Sequence, residues 1–303
     1  MAAESNGILL FGARGQLGHE LQRSLTPLGA VSPFGSSDAD FRKPEMLREI
    51  VRRHRPRIIV NAAAFTAVDK AESESETAFA INATAPAILA EEAEAVGACL
   101  VHYSTDYVFD GKKNTPYVET DPVNPLSVYG RSKAEGEQAV GANRRHLTFR
   151  TSWVVGTHGN NFVKTMLRLA GEREELRVVA DQIGAPTSAA LLADVTARIL
   201  AKMADQSADD ARWGLYHLVA VGETSWYALA RHVVARAGQM GYALKTKPEA
   251  IVPITAADYA STAARPANSR LDTSKLRTAF AVTLPDWSAG VDDVLDGIVA
   301  AAP

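Results

Sequence analysis

Seven residues near the start of the chain, Gly12-Ala13-Arg14-Gly15-Gln16-Leu17-Gly18, narrow the possible folds more than any other stretch. They follow an unbroken apolar run, Ile8–Phe11, and open a segment with leucines at 17, 21, 25 and 28. A short apolar run reads as a buried strand, and spacings of four and three read as an amphipathic helix over 16–28. Glycines at such a strand–helix turn let the backbone bend tightly and approach a pyrophosphate. The helix N-terminus then offers free N–H groups and the positive end of its dipole. Gly12, Gly15, Gln16, Leu17 and Gly18 are therefore candidate cofactor contacts. The spacing is G-x-x-G-x-x-G, not G-x-G-x-x-G, so by itself it also fits an ordinary glycine-rich turn.

The alternation continues. Apolar runs at 30–34, 57–61, 98–103 and 147–151 alternate with helical patterns at 44–54, 76–96 and 127–142. Buried strands that do not alternate in polarity, separated by helices, predict a parallel sheet covered on both faces. With the glycine turn, that is a Rossmann-type doubly wound α/β fold. After about residue 155 the rhythm loosens. Helices are expected at 161–171, 188–203, 225–238 and 286–300, and short strands at 176–179, 215–219 and 251–254. We read residues 1–155 as mainly an NAD(P)-binding domain. Residues 156–303 are mainly a smaller mixed α/β substrate-binding domain, partly interleaved with the first.

Composition excludes several classes. The 303 residues carry 32 Lys plus Arg against 35 Asp plus Glu, a net charge of −3, which gives no electrostatic reason for nucleic acid or an anionic membrane as partner. The single cysteine, Cys99, excludes an internal disulfide framework and a Cys-rich metal site. No signal peptide or membrane-spanning run is readable, and a cytoplasmic location is expected.

Three further features bear on chemistry. Tyr129 and Lys133 in YGRSK lie four residues apart, one turn along one helix face. An ammonium beside a phenol favours the phenolate and would lower the Tyr129 pKa, and the same lysine can hold the nicotinamide ribose. Tyr129 is then a general acid for a carbonyl oxygen. Thr105 follows the strand ending at Tyr103, beyond the carboxyl end of a parallel sheet, where ligands bind. The second strand ends Phe34-Gly35-Ser36-Ser37, with neither an acid for the adenosine ribose nor an arginine for a 2′-phosphate. This leans toward NADPH, with NADH also admissible. Asp40 and Phe41 are placed to meet the adenine, or to form only a polar turn before Pro44.

The glycine turn, S-T-D at 104–106 and Y-x-x-x-K together resemble the extended short-chain dehydrogenase/reductases that act on nucleotide sugars. NAAAFTAVDKAE (61–72), HYSTDYVFDG (102–111), PLSVYGRSK (125–133) and FRTSWVVGTHGNNFVKTMLRLA (149–170) carry the resemblance further. So do DQIGAPTSAALLADV (181–195), GLYHLV (214–219), RPANSRLDTSKL (265–276) and LPDW (284–287). The stretches point to the branch that reduces the 4-keto group of dTDP-4-dehydro-L-rhamnose to dTDP-L-rhamnose with NAD(P)H. The resemblance implies Tyr129 as catalytic acid, Lys133 as its partner and ribose clamp, and Thr105 as the aligning hydroxyl. It adds Ala64, Phe65, Thr66 and Tyr103 to the cofactor contacts, along with Asp40 and Phe41. Asp106 and Trp153 join Thr105 and Tyr129 as contacts of the dTDP-sugar. Asn161 and the stretch from Arg265 to Arg270 become candidates for the diphosphate.

Departures from relatives are equally informative. Nucleotide-sugar dehydratases resemble S-T-D-E-V-Y-G at the strand end, where Asp and Glu act as acid and base. Tyr107 takes the Glu position here. Cys99 and His102 lack the spacing of the epimerising Cys/His pair of fucose-synthase relatives. Some family members bridge subunits with carboxylate-bound magnesium, and two of those carboxylates would fall at Ala190 and Gly297. Magnesium is therefore not expected, and the chain is read as a monomer or weak homodimer. The alternatives are a non-catalytic NADP-binding regulatory subunit resembling the methionine adenosyltransferase beta subunit, or another nucleotide-sugar reductase or epimerase.

Overall fold

The computed structural model describes residues 7–300. Strands β1 (Ile8–Phe11), β2 (Val31–Phe34), β3 (Ile58–Asn61), β4 (Cys99–Thr105) and β5 (His146–Thr151) form most of its sheet. Short strands β6 (Val154–Val155), β7 (Leu176–Val179), β8 (Ile183–Gly184) and β9 (Thr187–Ser188) precede β10 (Gly214–His217), β11 (Thr224–Ser225) and β12 (Ile251–Ile254). The helices are α1 (Gln16–Leu25), α2 (Pro44–His54), α3 (Val68–Ser73), α4 (Ser75–Phe79), α5 (Ala85–Val96) and α6 (Val128–Val140). They continue as α7 (Phe162–Glu172), α8 (Ala189–Met203), α9 (Trp226–Gln239), α10 (Ser274–Phe280) and α11 (Trp287–Ala300).

The main sheet runs β10-β5-β4-β3-β1-β2, all parallel. From β1 the chain moves outward to β2 and then crosses back to β3 on the other side. That reversal opens a crevice at the carboxyl ends of β1 and β3, where ligands of doubly wound sheets bind. Leu21 and Leu25 of α1 pack with Leu192, Ile199 and Met203 of α8 on one face. Leu47 and Val51 of α2 pack with Leu89 and Ala93 of α5 on the other. A separate core joins Val163 of α7, Leu176 of β7, Val233 of α9, Ile251 of β12 and Leu295 of α11. The chain crosses between the two, since β10 completes the main sheet and Leu276 and Phe280 of α10 pack into the α1–α8 core.

Local chemistry sets the element ends. The helix expected over 16–28 stops at Leu25 and tightens into a 3₁₀ turn at Thr26–Leu28, because Pro27 has no N–H to continue the ladder. The helix expected over 76–96 is broken by a π turn at Ala80–Thr84. Pro86 cannot donate to the Asn82 carbonyl, and α6 uses the gap: a Cβ at Gly136 would stand 2.0 Å from that oxygen. The short helices α3 and α10 were not expected from the pattern.

Candidate active site

The glycine turn fits a dinucleotide on steric grounds. Gly12 has φ of 77°, and a Cβ there would lie 2.5 Å from the Ala63 amide nitrogen. A Cβ at Gly18 would lie 2.1 Å from the Gly12 carbonyl oxygen. The turn is thus seated against β3 and α1 as tightly as backbone allows. Gly15 caps α1 without any side-chain cap, so the first N–H groups, from Gln16 and Leu17 onward, remain free for an anion. Across the crevice runs the loop after β3, with Ala64, Phe65 and Thr66. Asn82 from the π turn holds its backbone by accepting the Phe65 N–H at 2.8 Å and donating to the Phe65 carbonyl at 3.0 Å.

At the end of β2 the structure corrects the sequence reading twice. Arg14 reaches over from the glycine turn, and a Cβ on Gly35 would lie 2.7 Å from its Nε. Asp38 folds back so that its Oδ2 accepts the Gly35 N–H at 2.9 Å and faces Arg14 Nη2 at 3.5 Å. The strand end therefore has both an arginine and an acid. The arginine was missed because it is distant in sequence, although it lies inside the glycine motif. Asp40, by contrast, is committed to Arg42, whose backbone N–H, Nε and Nη2 all donate to it and hold its pKa down at about 2. Phe41 is a core residue, edge-on to Phe11 at 5.6 Å.

The Tyr129 phenol, on the first turn of α6, is buried at the carboxyl end of β4. Ser127 caps that helix by accepting the Gly130 N–H, and Ser132 donates to the Tyr129 carbonyl. Burial pushes the Tyr129 pKa up to about 12, against a smaller lowering by the neighbouring Thr105 hydroxyl. Thr105 in turn donates to Asp106 Oδ1 at 3.0 Å and accepts the Tyr107 N–H at 3.2 Å. The second oxygen of Asp106 is buried with no partner, and burial raises its carboxyl to about 6. Lys133 is buried too and shares the face of Tyr129, but its Nζ turns to the Tyr103 carbonyl at 2.6 Å and His102 Nε2 at 3.3 Å. The lowering of the Tyr129 pKa by Lys133 expected from spacing is thus not found: desolvation dominates both groups and brings Lys133 down to about 8. Of Tyr103 only the backbone reaches this site, since its ring enters the α8 core and its hydroxyl meets Thr196 at 2.7 Å.

Next to this cluster lies a cavity of about 810 Å³ lined by Tyr107, Phe162, Arg173, Arg177, Trp226 and Arg265, among others. Tyr107 joins the two, its ring edge-on to Tyr129 at 5.4 Å. Trp153 stacks on Trp226 with centroids 3.6 Å apart and 13° between planes, and Phe162 meets Trp226 at 4.7 Å. Trp153 has φ of 48°, a left-handed conformation that costs a non-glycine residue on the order of 1–3 kcal/mol and is typical of ligand sites. Gly184 makes room for it, because a Cβ there would lie 2.7 Å from the indole.

The structure divides the diphosphate candidates. Arg265 faces the cavity, tied to Asp69 of α3 at 2.5 Å. Arg270 is instead committed to Glu223, Asn268 and the Asn114 carbonyl. Asn161 caps α7 and donates to Gln16 Oε1 at 2.8 Å, so it braces the glycine turn. Arg173, Arg177, Phe162 and Trp226 had no sequence signal, being spread over the looser half with no shared spacing. Ala190 lies in the first turn of α8, and Gly297 on α11 packs on Thr157. Among the described residues no group of three His, Cys, Asp or Glu side chains is placed to hold a metal, and no helix is long and apolar enough to cross a membrane.

Comparison with known proteins agrees with this architecture. Residues 6–299 match the family model described as the RmlD substrate binding domain. The dTDP-4-dehydrorhamnose reductase of Escherichia coli (strain K12) is 53% identical over 294 residues, 95% of this chain and 97% of that protein. That of Burkholderia thailandensis is 48% identical over 286 residues, covering 94% of this chain and 96% of its own. Among solved structures, a dTDP-4-dehydrorhamnose reductase from Bacillus anthracis in complex with NADP superposes with a TM-score of 0.85 at 35% identity, over 96% of this chain and 99% of that one. One from Clostridium acetobutylicum gives 0.88 at 36%, over 96% and 98%.

Proposed function

The chain belongs to the RmlD substrate-binding domain family, that of the dTDP-4-dehydrorhamnose reductases, and on that membership we propose how its residues divide the work. It is an NAD(P)H-dependent oxidoreductase that reduces the 4-keto group of dTDP-4-dehydro-L-rhamnose to dTDP-L-rhamnose. The nicotinamide nucleotide, when bound, supplies the hydride. Tyr129 gives its phenolic proton to the ketone oxygen, and Thr105 aligns that oxygen. Lys133 holds the ribose hydroxyls. Gly12, Gly15, Gln16, Leu17 and Gly18 seat the pyrophosphate, and Ala64, Phe65 and Thr66 line the opposite wall. Arg14 reaches the adenosine 2′-phosphate, which makes NADPH the preferred carrier. On the sugar-nucleotide side, Arg265, Arg173 and Arg177 take the diphosphate, since a guanidinium fork matches phosphate oxygens. Trp226, backed by Trp153, offers an aromatic face to the base or deoxysugar.

The observation that carries this reading is the position of Tyr129. Its buried phenol stands beside the Thr105 hydroxyl at the carboxyl end of β4, and one ring, Tyr107, separates it from the arginine-lined cavity. The test is a fall in NADPH absorbance when dTDP-4-dehydro-L-rhamnose is supplied. Absence of turnover with folded, NADPH-binding protein would overturn this reading and leave the regulatory-subunit reading or a different nucleotide-sugar substrate. We further propose that the enzyme works in the cytoplasm without magnesium, as a monomer or weak homodimer, with neither nucleic acid nor membrane as partner.

A further inference from the structure

Behind Lys133 lies a pair of residues that the reaction as described does not use. His102 of β4 is wholly buried, as is Asn61 at the end of β3. Asn61 Nδ2 stands 3.2 Å from His102 Nδ1, and His102 Nε2 stands 3.3 Å from Lys133 Nζ. The direction of this chain is fixed at its far end. The Ala63 backbone N–H, which can only donate, points at Asn61 Oδ1 from 3.1 Å. That oxygen is therefore the acceptor, and the Asn61 NH₂ end faces His102 and donates to Nδ1. A neutral imidazole whose Nδ1 accepts carries its proton on Nε2, aimed at Lys133. An amine nitrogen accepts that proton. An ammonium has three donors and no acceptor, so it meets the imidazole N–H donor to donor.

We propose that Asn61 and His102 form a positioning pair that sets the ionisation of Lys133 by locking the imidazole in the tautomer that disfavours the ammonium. The pair thereby sets how much of Lys133 carries the charge that donates to the ribose hydroxyls. Burial acts on Lys133 in the same direction as the tautomer lock. The other titratable groups acting here are Glu137 of α6, which favours the ammonium but is paired with Arg150, and His146 at the start of β5, which disfavours a charged His102. Burial keeps His102 itself neutral.

The inference rests on the proposed roles of Lys133 and Tyr129, and its test separates the two. The pH profiles of kcat/KM and of NADPH binding, followed by fluorescence, are recorded for the parent, His102→Gln and Asn61→Asp. In His102→Gln the side-chain carbonyl can accept from the ammonium. In Asn61→Asp the carboxylate still accepts from Ala63 but draws the imidazole proton to Nδ1, which frees Nε2 to accept. Both variants are expected to move the alkaline break upward by about one pH unit or more; in His102→Gln the lost donor-to-donor contact is the cause, while in Asn61→Asp the added carboxylate also favours the ammonium. If His102→Gln does not fold, His102→Asn, which likewise removes the imidazole without adding charge, replaces it. An alkaline break unmoved in a folded variant, with parent turnover intact, overturns the tautomer lock. Loss of turnover in the parent itself would instead overturn the function assigned to the site.

Discussion

Replacing Tyr129 with Phe removes one oxygen from a buried ring and tests the reaction at its proton. Burial holds the phenol near a pKa of about 12, so it is almost wholly protonated at neutral pH and ready to act as an acid. Loss of a general acid costs about 10²–10⁴-fold in rate, which is roughly 2.7–5.4 kcal/mol of barrier. The structural cost is smaller. The ring keeps its edge-on contact with Tyr107, and Thr105 keeps its bonds to Asp106 and to the Tyr107 amide. One lost hydrogen bond is worth about 1 kcal/mol, a change of a few degrees at most in Tm for a chain of this length. The two magnitudes are far enough apart to be told from each other. Single-turnover reduction with saturating NADPH is expected to slow at least a hundredfold, with NADPH affinity and Tm near those of the parent. A single-turnover rate within about fivefold of the parent would remove Tyr129 from the acid role.

Asp106 supplies a pH prediction. Its carboxyl is raised from 3.8 to about 6 by burial, so the folded state binds more protons than the unfolded one between those values. Its contribution to stability is therefore largest below about pH 4 and is lost as pH rises through 6. Asp106→Asn is expected to stabilise the fold relative to the parent at pH 7.5 but not at pH 4, by on the order of 3 kcal/mol for about two pH units, read as a Tm gain at the higher pH only, and an equal gain at both would refute the titration. Arg14→Ala is expected to weaken NADPH binding about tenfold or more while leaving NADH nearly unaffected; titration with each nucleotide checks it, and equal losses would place the 2′-phosphate elsewhere. Since Ala190 and Gly297 offer no carboxylate, EDTA is expected to change neither turnover nor sedimentation coefficient. A drop restored by added magnesium would show that other residues build a metal site.

What the sequence determined lies where a signal is local. The apolar run Ile8–Phe11, the glycines after it and the leucines of α1 are read within twenty residues, because a strand, a tight turn and a helix each leave a periodicity or a backbone requirement of their own. The spacing of Tyr129 and Lys133 is likewise a property of one helix, and it placed both residues on one face. What that spacing does not contain is where an ammonium points once buried. Lys133 turned from the phenol to the Tyr103 carbonyl, because β4 runs beneath α6 and a desolvated cation takes the nearest acceptor. Pairing across elements is equally silent in the chain. Arg14 and Asp38 meet over Gly35 only because β1 and β2 lie side by side. Trp153 and Trp226 stack across seventy-odd residues only because Gly184 leaves room for the indole. Asp40 and Phe41, read in the sequence as adenine contacts, also pair with Arg42 and Phe11, partners that the local pattern did not name. Elements follow from short-range steric and hydrophobic pattern; the charge states and partners of the site follow from desolvation and distance, which only the packed sheet sets.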